Sequence, residues 1–270
     1  MRSPLKRFTI SKGIAPAAIL AAKWMAVTAL LAAHAVAQGR GGPPPGPPPT
    51  AKALAPFDLT GYWVSVVTED WRYRMVPPAK GDYQGVPMNA EGLKLANAWD
   101  PAKDEAAGNQ CMYYGAPALL RIPGNLHITW QDDQTLKIET DAGTQTRVLH
   151  FGNWKPGTER SWQGDTVATW EVPRGGRGPA PVPAPYGTLK TVTTNLKAGY
   201  LRKNGVPYSE NAVLTEYYDV IRGVDGNPWL IVTSMVDDPQ YLRMTFLTSS
   251  NFKKLANGSG WDPSPCSARW

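Results

Sequence analysis

Outside its first 37 residues the chain holds two histidines, and His150 ends the stretch TDAGTQTRVLHF, residues 140–151. An imidazole is suited to proton transfer near neutral pH. Glu216, in AVLTEYYDVI (212–221), shares its side of a strand with Leu214, Tyr218 and Val220. A carboxylate among apolar groups has a raised pKa unless a cation or hydrogen bonds keep it charged. His150 with Glu216, or with Asp141, would supply the acid and base of a cofactor-free isomerase, lyase or cyclase. The other reading of His150 is a core histidine satisfied by a backbone group or a threonine. His127, opposite Glu139 in the predicted register below, reads as one half of a surface pair. The sequence has no G-x-G-x-x-G or phosphate-loop signature and no His–His or Cys–Cys cluster, so no cofactor and no metal site are expected.

These residues need a frame, and the chain supplies one after an apparent leader. Arg2, Lys6, Arg7 and Lys12 precede an apolar stretch from Trp24 to Ala37, and AVA (35–37) before Gln38 fits a cleavage site. Lys23 breaks the apolar run below the roughly 20 residues that span a bilayer, so a cleaved signal peptide is expected over residues 1–37 rather than a membrane anchor. The five basic residues of the leader face no acid there, which leaves the remaining chain at +1. A nucleic-acid partner is therefore not implied. Cys111 and Cys266 both follow the leader, and in an exported chain they most simply pair. A nucleophilic thiol is the alternative. The expected location is periplasmic or secreted.

GRGGPPPGPPP (39–49) reads as an extended spacer, with the fold beginning near FDLTGYWVSV (57–66) and forming a single domain to residue 270. RGGRGPAPVPAP (174–185) reads as a long surface loop, with an interdomain linker as the other possibility. Only MNAEGLKLANAWD (88–100) looks helical, with Asn89 as cap and Gly92 against it. The rest is short strand and turn, which predicts an all-β fold: an antiparallel, lipocalin-like β-barrel of about eight or more strands with one short helix.

A three-residue loop at Asp141–Gly143 pairs Thr140 with Thr144, and a similar loop pairs Gln131 with Thr135. Alternation then puts Leu126, Ile128, Trp130, Leu136, Ile138, Val148 and His150 on one face, with Thr140, Thr144 and Thr146. The other face holds His127, Lys137, Glu139 and Arg147, as a solvated sheet surface would. An inward Trp, His and three Thr resemble the lining of a small-molecule cavity. Trp170 and Trp63 read as core, whereas Trp162, Tyr200 and Tyr208 fall in loops where a binding rim is plausible.

The order LTGYW, GAPALLRIPGNLHITW, WQGDTVATWE, VPYSENAVLTEYYDV, VDDPQYL resembles a group of exported, mostly uncharacterised β-rich bacterial proteins, over about residues 57–255. The resemblance draws attention to Arg121, Trp170, Glu210 and Glu216. It departs where the group carries His before Ser-Glu, because Tyr208 stands there. The expected function is binding of a small apolar or aromatic molecule inside the barrel, with Trp130, Thr144, Thr146, Arg121, Trp170, Tyr208 and Glu210 as ligand-binding residues. The alternative is the enzyme built on His150, Glu216 and Asp141, and a structural protein of the envelope is a third possibility.

Overall fold

A computed structural model describes residues 47–173, 183–184 and 186–269. The expected leader, the spacer up to residue 46 and most of the 174–185 loop lie outside the described residues. Nine strands close into one barrel. They are β1 (Gly61–Val66), β2 (Asn125–Asp132), β3 (Thr135–Thr140), β4 (Gln145–Phe151), β5 (Asp165–Glu171), β6 (Thr188–Thr194), β9 (Val213–Arg222), β10 (Pro228–Asp237) and β11 (Phe246–Lys254). A separate two-stranded ribbon joins β7 (Gly199–Tyr200) and β8 (Pro207–Tyr208). Around the barrel the order is β1-β11-β10-β9-β6-β5-β4-β3-β2. β-Branched and aromatic residues alternate with polar ones along these strands, so each wall has one buried face.

Two expectations about architecture need correction. The barrel is mixed, since β4 and β5 run parallel, with Leu149 opposite Thr166 and Phe151 opposite Ala168. A parallel neighbour needs a crossover in place of a hairpin, and residues 152–164 provide it. The single expected helix is also too few, because the described residues hold five short ones and a 3₁₀ turn at Met112–Tyr114. The helices are α1 (Ala51–Leu54), α2 (Trp71–Arg74), α3 (Ala90–Ala98), α4 (Pro101–Ala106) and α5 (Ala116–Leu119). Four of them span six residues or fewer, too short to show a 3.6-residue stripe in the sequence.

The longest, α3, is the one the sequence announces, with the Asn89 side chain accepting from Gly92 N at 2.9 Å. Gly92 has a packing reason, since a Cβ there would stand 2.5 Å from the Tyr241 carbonyl oxygen. Packing against the core also starts earlier than residue 57. Thr50 caps α1, Ala51 packs into the core, and the Trp170 indole donates to the Ala51 carbonyl at 2.8 Å.

The apolar end of the barrel beside α1 is filled by its own side chains. Trp63, Ile128, Leu136, Ile138, Leu149, Leu189, Tyr218, Leu230, Val232 and Phe252 are completely buried together. Above the opposite end lie the loops and helices of residues 67–124, pinned to the C-terminal tail by a Cys111–Cys266 disulfide with a Cα–Cα distance of 5.1 Å. The expected cysteine pair is therefore present.

Candidate functional site

The decisive difference from the sequence reading is a one-residue shift in a single hairpin. β2 and β3 keep the expected register from Leu126 opposite Thr140 to Trp130 opposite Leu136, but a bulge then puts Asp132, in place of the expected Gln131, opposite Thr135. β3 and β4 pair Thr140 with Gln145, one position beyond the expected Thr144. The loop has four residues because Thr144 follows Gly143 into the left-handed region, at φ 51° and 74° respectively. A slip of one residue turns every side chain of a strand to the other face. His150, Val148 and Thr146 therefore lie on the outer side, and Arg147, Leu149 and Phe151 point in.

Inside, Arg147 meets Glu216, which faces inward as parity allowed. Nη1 donates to Oε1 at 2.9 Å and Nη2 to Oε2 at 2.7 Å, and both side chains are sealed from solvent. Tyr218 and Thr191 donate to the same carboxylate at 3.1 and 3.2 Å, and Arg147 also reaches Thr193, whose hydroxyl meets that of Thr166 at 2.8 Å. Burial alone would lower the Arg147 pKa, but the Glu216 charge, Tyr218 and the hydrogen bonds to both together outweigh it and hold the guanidinium above its ordinary value. Burial, with Glu216 adding to it, pushes the Tyr218 phenol up. Register extends this belt across four strands: Thr191 lies opposite Glu216, Glu216 opposite Ser234, and Ser234 opposite Thr248. Paired residues of neighbouring strands on one face are within side-chain reach. The barrel thus has an apolar end and a polar middle.

His150 does not join this network. Its ring stacks on Trp154 at 4.0 Å between centroids, and partial burial lowers its pKa. The expected acid–base pair with Glu216 is absent because the barrel wall separates them. Asp141 is taken up by the loop, accepting from Asn125 N at 2.7 Å, Asn125 Nδ2 at 2.6 Å and Ala142 N at 2.6 Å. Thr144 donates to the Ser264 carbonyl at 3.0 Å, tying the tail to this hairpin. Trp170 is braced between Phe57 and Phe151 at 5.4 and 5.6 Å, and Trp130 packs 5.6 Å from Phe151. Trp130 also borders an open groove of about 680 Å³ shared with Lys52, Phe57 and Asp58. Glu210 is exposed and 3.6 Å from Arg160. The surface pair is as expected: His127 and Lys137 lie 3.3 and 3.1 Å from the Glu139 carboxylate, but Arg147 has left that face.

A second concave region stands outside the barrel wall, where α3, α4, the 3₁₀ turn and the β7–β8 ribbon converge. It encloses about 290 Å³ between Leu95, Ala98, Trp99, Met112, Tyr200, Tyr208 and Tyr241, with Asp100, Lys103 and Asp104 at its edge. Trp99 meets Tyr200 edge to face at 6.4 Å. The Asp104 carboxylate accepts from both, from Trp99 Nε1 at 3.1 Å and Tyr200 Oη at 2.9 Å. Burial and the Asp104 charge push the Tyr200 phenol up. Tyr208 is completely buried, and its hydroxyl has no hydrogen-bond partner among the described residues. Burial raises its pKa too. Next to the cleft, Lys203 is pushed down by burial to about 8.

No family model matches the chain, and neither curated proteins nor solved structures provide a match. Among the described residues no three His, Cys, Asp or Glu side chains converge on one point, and no helix is long and apolar enough to cross a membrane.

Sequence reasoning missed Arg147 and the cleft residues Trp99 and Tyr241. For Arg147 a signal existed: if Glu216 faces inward it needs a cation, and Arg147 is the cation that the alternative loop length would turn toward it. For Trp99 and Tyr241 none existed, because they are brought together by the packing of α3 on the 238–242 turn. Asn89 N donates to the Tyr241 carbonyl at 2.9 Å there.

Proposed function

We propose that this protein is an exported binding protein whose ligand is a small aromatic molecule held in the cleft between α3, α4 and the β7–β8 ribbon. The observation that carries this reading is the cleft's lining: four aromatic rings, Leu95 and Met112 around about 290 Å³, with the polar groups confined to one edge. Apolar walls with a few oriented polar groups are the usual composition of small-molecule sites. The volume suits one or two rings. The Asp104 carboxylate already orients Trp99 and Tyr200, so these two walls are fixed before a ligand arrives, which lowers the ordering cost of binding. The apolar filling beside α1 disfavours the barrel interior as the site for such a ligand. Export is supported by the Cys111–Cys266 bond, because such bonds persist in oxidising compartments.

Titration of the purified chain with indole and with 2-naphthol, followed by tryptophan fluorescence and calorimetry, tests the reading. Saturable binding is expected, and Ala98→Trp, which fills the cleft from an exposed position on α3, should abolish it. Unchanged binding in Ala98→Trp, or no saturable binding of either probe, overturns the proposal.

A further inference from the structure

We propose that Arg74, Arg121 and Arg202, gathered beneath the capping loops of residues 67–124, form a binding site for a small oxyanion, a carboxylate or a phosphate. All three are almost completely buried, at 1 %, 3 % and 2 % exposure. Long basic side chains are rarely buried unless paired, and here the pairing is incomplete. Arg74 is matched by Glu69 and also donates to the Arg121 carbonyl at 2.8 Å and to Ser65 Oγ at 3.2 Å. Arg121 uses Nη2 on Asp70 at 2.9 Å, but its Nη1 finds no acceptor among the described residues.

Among the described residues no carboxylate forms an ion pair with Arg202, and Asp70 and Asp82 act on it only from a distance. Its Nη1 donates to the Gln84 carbonyl at 2.6 Å, its Nε has no acceptor, and its guanidinium lies over the Tyr73 ring at 4.0 Å. The nearby Asp82 carboxylate is engaged by Arg72 at 2.7 Å and by the Tyr73 hydroxyl. Arg121 and Arg202 flank one ring, Phe246, at 5.7 and 6.0 Å. Three buried guanidinium charges therefore face two directly paired carboxylates, and two N–H donors point at nothing that accepts. Burial lowers the pKa of Arg74 and Arg202, and the Arg121 charge lowers both further.

An uncompensated buried cation is costly, and one anion of unit charge would remove the excess. An oxyanion suits two guanidiniums better than a spherical ion, because planar N–H forks match its oxygens. Arg121 follows α5 in a turn and Arg202 lies in the turn between β7 and β8. Both therefore stand on connecting segments and not on the barrel strands.

The test uses inorganic phosphate, and sodium acetate in parallel, against sodium chloride at matched ionic strength. It measures thermal unfolding and calorimetric binding for the full chain, Arg202→Met and Arg202→Lys. The native chain should show saturable binding and a melting temperature that rises with oxyanion concentration beyond the chloride control. Arg202→Met should lose both, and Arg202→Lys, which keeps the charge but not the fork, should bind at least tenfold more weakly. Should Arg202→Met fail to fold, Arg202→Lys decides alone. Equal oxyanion responses in native and variant chains, or responses no larger than with chloride, overturn the proposal.

Discussion

Replacing Glu216 by Leu leaves Arg147 charged in the middle of a closed barrel. In the native chain this guanidinium has two charge-assisted bonds to Glu216, at 2.9 and 2.7 Å, and two longer contacts at 3.3 and 3.4 Å to Thr193 and Tyr218. Only the long contacts survive in the variant. Breaking one side of a buried pair costs about 3–5 kcal/mol. For a domain of this size each kcal/mol lowers the melting temperature by roughly 2–4 °C, so a fall of about 6–20 °C is expected. Arg147→Met should cost a similar amount, because it strands the carboxylate with only the Tyr218 and Thr191 hydroxyls. The double variant Arg147→Met/Glu216→Leu removes both charges and the desolvation penalty with them. It should lie within about 1 kcal/mol of the native chain, since apolar replacement of buried pairs is often neutral or better. Denaturant unfolding of all four chains gives the coupling energy, whose magnitude from these values is about 5 kcal/mol or above. Additive single effects, or single effects below about 1 kcal/mol, would refute the assignment of this pair as a mutually dependent buried bridge.

His150 should behave as a wall residue. Burial holds its pKa below the ordinary value, so the folded chain binds this proton less readily than the unfolded chain. Its contribution to stability is therefore present above the ordinary histidine range and is lost as pH falls through it. An NMR titration should place its midpoint below about 6.5, His150→Ala should fold, and the variant should bind aromatic probes as the native chain does. The disulfide closes a separation of 155 residues, for which the chain-entropy estimate is about 5 kcal/mol. Reduction should lower the denaturation midpoint accordingly, with the tail and the 140–145 hairpin protected least from hydrogen exchange.

Legibility in the sequence followed range. β-Strand alternation is local, and it marked the barrel and the pairing of β2 with β3, but both sides of β9 carry apolar residues, so it left the inward side of that strand open. The β3–β4 loop was misread because only glycine advertises a left-handed backbone. Gly143 alone implies three residues, but Thr144 also adopts that conformation, and a threonine there leaves no mark in the sequence. The outcome was an inversion of roles along β4, with the solvated arginine becoming the interior cation and the interior histidine becoming a stacked surface ring. One geometric error therefore displaced two functional assignments, which is how register acts on a sheet with one buried face. The short helices escaped for a different reason: at four to six residues their periodicity does not differ from that of a turn.

The chemistry of the described chain concentrates away from the strands' own apolar packing, in the pieces that cover the barrel. Arg74 sits on α2, Arg121 follows α5 and Arg202 lies between β7 and β8, yet all three meet beneath one cap. None of these elements could fold alone, since α2 and α5 have four residues each and β7 and β8 two each. Their placement depends on the barrel below and the Cys111–Cys266 bond at the side. The barrel in turn satisfies a buried charge pair internally through Arg147 and Glu216. A frame neutral within itself, carrying a cap with an unbalanced cation, directs any anion to the cap. Glu216→Leu alone should therefore lower stability without changing oxyanion binding, whereas Arg202→Lys should do the reverse.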